Sequence, residues 1–243
     1  MGDNFDAFLD AWPRIWEGIL TTVYLTLGGA ALAFVLALVL GVAAGARQIA
    51  IRGTARVIVE FFRGTSLLVQ LFWLFYVLPL FGYELDPMFC GILALGLNYG
   101  AYGAEVVRGS LAAIPAPQRE AAVALNFSAW QRLHRVIFPQ AWVQMIPPMN
   151  NLLIQLLKGS ALASFILLQD LTYQIEQLRR GTGDTLFSFG IGLILYFCIA
   201  YVLTLFMNLL EMRAKSRLGV GPTLREVLSL RPERVDENVG VGR

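Results

Sequence analysis

Charged residues are unevenly distributed along this chain of 243 residues and leave five long stretches without Asp, Glu, Lys or Arg. These stretches are 29, 20, 18, 22 and 26 residues long and cover 18–46, 64–83, 87–104, 136–157 and 185–210. An α-helix needs about 20 apolar residues to cross a hydrocarbon core about 30 Å thick. The pattern therefore predicts an all-α membrane protein with five transmembrane helices, over about 18–46, 57–80, 87–110, 140–168 and 185–211.

The composition agrees with this interpretation. Hydrophobic residues make up 57% of the chain and charged residues 15%, against roughly 25% charged residues in soluble domains. Buried helices of soluble proteins rarely remain free of charge for so long, and the alternating ten-residue segments of a membrane β-barrel do not occur. The first stretch is too long for the core of a signal peptide and follows acidic rather than basic residues.

Lysine and arginine are concentrated on one side of the predicted spans. Eleven of them lie after the first, third and fifth spans or just before the second and fourth: Arg47, Arg52, Arg56, Arg63, Arg108, Arg119, Arg132, Arg135, Arg213, Lys215 and Arg217. The alternate segments carry three, Arg14, Arg179 and Arg180. Positive residues favour the cytoplasmic side, so we expect the N-terminus outside and the C-terminus inside. We expect a permease domain over residues 1–218 and a disordered cytoplasmic tail over 219–243.

The segment 115–139, between the third and fourth spans, predicts two short helices joined by a turn. Residues 118–125 favour a helix, and Asn126 is suited to the left-handed conformation that ends one. Ser128 and Gln131 form a capping-box pattern that begins the second helix, and Pro139 is expected to end it.

This segment resembles the EAA loop of permease subunits in ATP-binding-cassette (ABC) importers. The matching residues are Glu120-Ala121-Ala122, Asn126 in place of the usual glycine, and Val136-Ile137-Phe138-Pro139 in place of Ile-x-Leu-Pro. Asparagine is the next-best residue for a left-handed position, so the turn is expected to survive the replacement.

Other motifs are similar to those of the polar amino-acid uptake permeases. They are the run 60–70, in which Ser66 replaces a proline, and the segments 101–109 and 157–162. The resemblance covers residues 15–218 and implies the five-span, type I ABC importer permease fold. It further implies a second permease subunit of the same or a homologous chain, a cytoplasmic ABC ATPase dimer and an external solute-binding protein. Glu120, Ala121, Ala122, Asn126 and Pro139 would form the ATPase-docking loop.

The resemblance also implies an amino acid or an amino-acid-like zwitterion as the solute. The aromatic run 72–79 favours ectoine or hydroxyectoine slightly, and ordinary lipid-facing packing of this run is the alternative.

No catalytic residue, metal site or cofactor is predicted, and the chain is not expected to be an enzyme. Neither Lys158 nor Lys215 follows a glycine, so the usual phosphate-binding loop is absent and ATP must be bound by a partner subunit. One histidine, His134, and two cysteines within spans do not make a metal cluster or a catalytic triad. The basic loops follow from membrane topology, so nucleic acid is not an expected partner, whereas membrane lipid is.

Polar residues within spans are expensive in a bilayer and are candidates for the solute path. We select Asn98, Asn151, Gln155 and Lys158. Hydrogen bonding between helices is the alternative for the amides, and snorkelling or pairing with Asp170 is the alternative for Lys158. Glu105 is expected to pair with Arg108 at helical spacing.

Two other classes of membrane protein are alternatives to an importer permease. An ion-coupled secondary transporter would need no ATPase, but such folds usually have inverted repeats and interrupted helices, which the sequence does not display. A membrane-embedded enzyme would need a cluster of His, Cys or acidic residues, and none is evident.

Overall fold

The computed structural model describes the backbone of residues 2–217 and the side chains of residues 4–213. Within that part of the chain every regular element is helical. The α-helices are α1 (Gly2–Ala44), α2 (Ile49–Gly64), α3 (Leu67–Phe72), α4 (Pro87–Ala112), α5 (Ala116–Ala124), α6 (Ala129–Gln131), α7 (Phe138–Ser160), α8 (Leu171–Thr182) and α9 (Thr185–Arg217). The predicted tail, 219–243, lies outside the described residues.

Helix α1 begins far earlier than the predicted first span, at Gly2 rather than at residue 18. Its 43 residues correspond to about 64 Å, twice the thickness of a hydrocarbon core. The N-terminal part is helical because Ala11 and Ile15 pack in a cluster with Leu171, Ile175 and Leu178 of α8. A tertiary contact therefore extends the helix beyond its charge-free stretch.

Among the described helices α1 and α4 share the most extensive contact, and glycines let their backbones approach closely. Gly41 of α1 lies so near α4 that a Cβ atom there would be 2.7 Å from the carbonyl oxygen of Ala104. Gly100 of α4 lies against Ala33 of α1, where an added Cβ atom would be 3.3 Å from the Cα of Ala33. Small residues play this role in membrane helix pairs because packing, not exclusion of water, drives their association.

The predicted second span, 57–80, is not one continuous helix. The chain breaks at Thr65 and Ser66, both in extended conformation, and the helical segment 67–81 is bent by 99° from α2. Beyond α3 the helix continues as a π turn over Trp73–Val77 and a 3-10 turn over Leu78–Phe81.

The predicted polar connection between the fourth and fifth spans contains a helix. Asp170 caps the start of α8 by accepting the backbone N–H of Tyr173 at 2.9 Å, and Gly183, in the left-handed conformation, ends it. Helix α8 is bent by 59° from the preceding helical segment Ala129–Ile166.

Among the helices within residues 2–217, α1 and α9 are each long and apolar enough to cross a membrane alone. Two bent pairs, α2 with 67–81 and 129–166 with α8, bring the number to four if each pair is one span. Most of α9 is exposed, since 6% of its most apolar stretch is buried. Its surface must therefore be covered by lipid or by another subunit.

Candidate functional site

The segment after α4 folds as the sequence predicts, into a helix, a tight turn and a capped second helix. Asn126 adopts the left-handed conformation, with φ of 59°. Its N–H donates to the carbonyl of Val123 at 2.9 Å, and the N–H of Phe127 donates to that of Ala122 at 3.1 Å. This pair of bonds is the Schellman motif that usually requires glycine. The expected turn at Asn126 is confirmed.

The capping box at the start of the second helix is also confirmed. The N–H of Ser128 donates to Oε1 of Gln131 at 2.9 Å, and the N–H of Gln131 donates to Oγ of Ser128 at 3.3 Å.

The prediction that Pro139 ends this helix is wrong. The helix continues from Ala129 through a π turn at Arg132–Ile137 into α7. In the π turn the N–H of Phe138 donates to the carbonyl of Leu133, five residues back. Proline lacks an N–H group and is therefore tolerated in the first turn of an α-helix. The π turn changes the hydrogen-bond pattern directly before α7, so that Pro139 lies in the first turn of α7 without breaking the continuous helix.

The loop presents a mixed acidic and apolar surface. Glu120 and Ala121 are exposed, as are Leu125 (68%) and Trp130 (71%). Ala122, by contrast, is 2% exposed and packs inside the molecule. From the exposed side chains of this loop we select Glu120, Ala121, Leu125 and Trp130, which we call the docking surface.

Arg119 ties α5 to the end of α4. Its guanidinium donates to the carbonyl oxygens of Leu111 and Ala112, which the helix end leaves without backbone partners. A cation at a helix C-terminus is also favoured by the helix dipole. The position of α5 is thus fixed to α4 by the contacts of Arg119, and the turn at Asn126 joins α5 to the helix that continues from Ala129 into α7.

One face of α7 carries a row of exposed polar residues. Gln140, Gln144, Asn151, Gln155 and Lys158 are all exposed and follow one another at intervals of three, four or seven. Residues with this spacing share a helix face. The hydroxyl of Tyr99 in α4 donates to the carbonyl of Gln155 at 2.8 Å, so α4 lies beside this row.

Arg63, at the end of α2, contacts the same part of α4. Its guanidinium lies 5.5 Å from the centre of the Tyr102 ring and pairs with Glu60 at 3.4 Å. The Tyr102 hydroxyl donates to the carbonyl of Arg63 at 3.4 Å. Hydropathy and charge place Arg63 among the inner positive residues, and they carry no signal for its contact with Tyr102 across the fold.

Asn98 is buried on α4, whereas the other candidate solute residues are exposed on α7. It is 6% exposed, and its side-chain amide donates to the carbonyl of Phe62 at 3.0 Å. Gln70 donates to the same carbonyl at 3.0 Å and to Oγ1 of Thr65 at 2.7 Å. These two amides satisfy a carbonyl that the break between α2 and α3 leaves without its helical partner.

Two predicted ion pairs have different outcomes. Glu105 does pair with Arg108, at 2.6 Å. Asp170, the alternative partner of Lys158, is fully buried and accepts hydrogen bonds from the Tyr173 backbone and the Tyr196 hydroxyl. Within residues 4–213 no salt bridge involves Lys158.

No group of three or more His, Cys, Asp or Glu able to hold a metal ion occurs among the residues that the structure describes.

The all-helical fold with long apolar helices is that of a membrane protein, and comparison with known proteins shows its family. Residues 37–216 match the family model described as "Binding-protein-dependent transport system inner membrane component". The chain belongs to this family. It is therefore a transport component rather than an enzyme, a multi-pass protein of the bacterial plasma membrane and part of the translocation pathway of an ABC importer. An ion-coupled secondary transporter is excluded.

Several curated relatives cover most of the chain. The "Probable amino-acid ABC transporter permease protein y4tF" of Sinorhizobium fredii is 45% identical over 202 residues, 81% of this chain and 83% of that protein. The L-cystine transport system permease protein TcyB of Bacillus subtilis is 35% identical, over 83% and 87%. The glutamine transport system permease protein GlnP of Escherichia coli is 31% identical, over 87% and 98%.

Solved structures share the fold. An amino acid ABC transporter, crystallised with histidines, has a chain that is 29% identical, with a TM-score of 0.79 over 86% of this chain and 98% of that one. The inward-facing MetNI methionine ABC transporter has a TM-score of 0.71 at 20% identity, over 83% and 96%. The second likeness concerns the fold alone.

Proposed function

We propose that this chain carries an amino acid, or a zwitterion resembling one, across the membrane in five spans, with the N-terminus outside and the C-terminus in the cytoplasm. A second permease subunit would complete the path, an external solute-binding protein would deliver the solute, and a cytoplasmic ATPase dimer would bind and hydrolyse ATP. The names of the relatives for cystine and glutamine support the solute class.

The docking surface on the loop after α4 is the observation that carries the proposal. Glu120, Ala121, Leu125 and Trp130 project from a short helix and a capped turn that their backbone bonds make rigid. Exposed leucine and tryptophan on a loop that also carries a carboxylate suit a protein partner better than water. Because Arg119 joins α5 to α4 and the π turn joins α6 to α7, movement of a bound ATPase would reach both membrane helices directly.

The exposed row on α7 is the proposed solute path. Asn151 and Gln155 offer amide donors and acceptors, and Lys158 offers a positive charge suited to a carboxylate. Asn98 we assign to the break between α2 and α3 instead. The aromatic run 72–79 gives no support to ectoine in particular, because Phe72, Leu74 and Phe75 pack against the core formed by Leu71 and its neighbours.

We expect the replacement Glu120→Lys to uncouple the ATPase. We propose that Glu120 faces a basic group of the ATPase, so that lysine at this position would bring like charges together, which costs several kcal/mol at an interface. Solute-stimulated ATP hydrolysis by the reconstituted complex should fall by about tenfold or more, together with co-purification of the ATPase. The measurement is ATP turnover in vesicles containing permease, ATPase and solute-binding protein.

Glu84→Lys is the matched control, because Glu84 is also exposed but lies in the proposed outer turn. It should leave ATP hydrolysis near the wild-type value. Unchanged hydrolysis and binding in Glu120→Lys would reject the docking proposal.

The proposed topology makes a separate prediction. Reporter domains fused after Leu80 and after Arg180 should be external, and a reporter fused after Arg119 should be cytoplasmic, because the eleven inner positive residues oppose translocation. Alkaline phosphatase and fluorescent-protein activity distinguish the two sides. The opposite pattern would contradict the assigned orientation.

A further inference from the structure

An apolar groove lies between α1, α7 and α9, away from the polar row. It has a volume of about 850 Å³, and its lining includes Phe34 of α1, Trp142, Met145 and Met149 of α7, and Leu210 and Arg213 of α9. Trp142 contacts Phe34 edge-to-face, with 5.9 Å between the ring centres. Trp142 lies nine residues from Asn151, about two and a half turns, which puts the two side chains on opposite faces of α7. The groove therefore does not belong to the proposed solute path.

We propose that this groove binds an anionic phospholipid of the cytoplasmic leaflet, with an acyl chain between the helices and the phosphate at Arg213. This assignment rests on the proposed orientation, in which α7 begins and α9 ends on the cytoplasmic side.

The dimensions and lining suit an acyl chain. The groove follows α7 from Phe138 to Met149, about 17 Å at the helical rise, close to half of a hydrocarbon core about 30 Å thick. Methionine side chains are flexible and polarisable, so Met145, Met149 and Met207 can adapt to a chain of variable conformation.

The charge at one end of the groove selects the headgroup. Among the described residues that line it, Arg213 alone is charged. It lies at the same end as Phe138 because α7 and α9 run in opposite directions. Lys215 and Arg217 follow in the sequence and outweigh Glu211, so this helix end is positive. Basic sites between helices at the cytoplasmic surface attract anionic headgroups.

Lipid is a better occupant than a second copy of the chain. Another permease subunit would complete the path by facing the polar row of α7, and the groove lies on the reverse side of that helix. An amino-acid solute would find no polar partner along the apolar wall formed by Phe34, Trp142 and Met145.

Quenching of Trp142 fluorescence by brominated lipids tests the proposal. The full-length chain, with the other four tryptophans replaced by Phe, is reconstituted in vesicles containing dibrominated phosphatidylglycerol or dibrominated phosphatidylcholine. We expect association of phosphatidylglycerol near Trp142 to be favoured about fivefold, the effect of one basic residue near an anionic surface. Arg213→Gln should abolish this preference.

Arg56→Gln is the matched control, since it removes an exposed arginine from α2, on the same proposed side but away from the groove. It should keep the preference. Equal loss in both variants would mean a diffuse surface charge effect, and equal quenching by the two lipids would mean unselective lipid contact. Absence of quenching by either lipid would mean that protein covers the groove. Each of these three results overturns the proposal.

A second readout applies to the unmodified complex. Phosphatidylglycerol that co-purifies with the permease and its ATPase is counted by mass spectrometry, and Arg213→Gln should lower the count whereas Arg56→Gln should not. If the chain with a single tryptophan does not fold, this count decides the question.

The brominated lipid is present in both leaflets of the vesicles, so the quenching of Trp142 does not depend on the orientation of the chain. Failure of the proposed function would be seen instead in ATP hydrolysis and in the reporter fusions.

Discussion

Replacing Gly41 with leucine will push α1 away from α4 and destabilise the folded protein. A Cβ atom at position 41 would be 2.6 Å from Cβ of Val107 and 2.7 Å from the carbonyl oxygen of Ala104. The backbone oxygen cannot rotate away, so the helices must move apart along their largest contact. Overpacking of this kind costs about 1–3 kcal/mol and occasionally more, and the melting temperature of the solubilised protein should fall by about 5–10 °C.

Gly190→Leu provides the control for this prediction. Gly190 lies on α9, where a Cβ atom would meet nothing within 4 Å, and leucine has a higher helix propensity than glycine. Its melting temperature and yield of monodisperse protein should match the wild type or exceed it. If Gly41→Leu were as stable as Gly190→Leu, the close approach of α1 and α4 would be incorrect.

The second large effect is expected for Asn98→Asp. This change keeps the shape of the side chain but replaces the donor to the Phe62 carbonyl with an acceptor, at a position that is 6% exposed. A buried, unpaired carboxylate costs several kcal/mol. We expect a loss of about 3 kcal/mol in the free energy of unfolding, measured by thermal or denaturant unfolding in detergent.

Asn151→Asp makes the same chemical change at an exposed position of α7. It should alter stability by less than about 0.5 kcal/mol, while changing the apparent affinity for solute if the polar row lines the path. Equal stability of the two variants would contradict the role of Asn98 at the break and return it to the solute candidates.

The turn after α4 could be predicted because its determinants are local. Asn126, Ser128 and Gln131 each act on backbone groups within five residues, so their spacing specifies the geometry without knowledge of the rest of the molecule. The same holds for α8, where Asp170 before the helix and Gly183 after it are ordinary cap signals. Both cap signals of α8 are visible in the sequence, but the polar composition of the segment favours an irregular loop between the fourth and fifth spans.

The break at Thr65 and Ser66 could not be predicted from hydropathy. A charge-free stretch has the same pattern whether its helix is straight or bent, and the donors that stabilise the break come from Gln70 and, across the fold, Asn98. The start of α1 at Gly2 depends in the same way on contacts with α8. The π turn before Pro139 has no distinct sequence signal, because a single turn is too short for its periodicity to be recognised in the pattern of polar residues.

The apolar part of α1 has a consequence for how the protein is made. Of the helices within residues 2–217, α1 and α9 are each long and apolar enough to cross a membrane alone, whereas α4 is not apolar enough. Helix α4 carries the Glu105–Arg108 pair and several glycines, which lower its affinity for lipid. Helix α1 precedes α4 in the chain and therefore leaves the ribosome before it. We expect the close contact between the two helices, which their glycines allow, to hold α4 in the bilayer, so that α1 acts as an assembly template for α4.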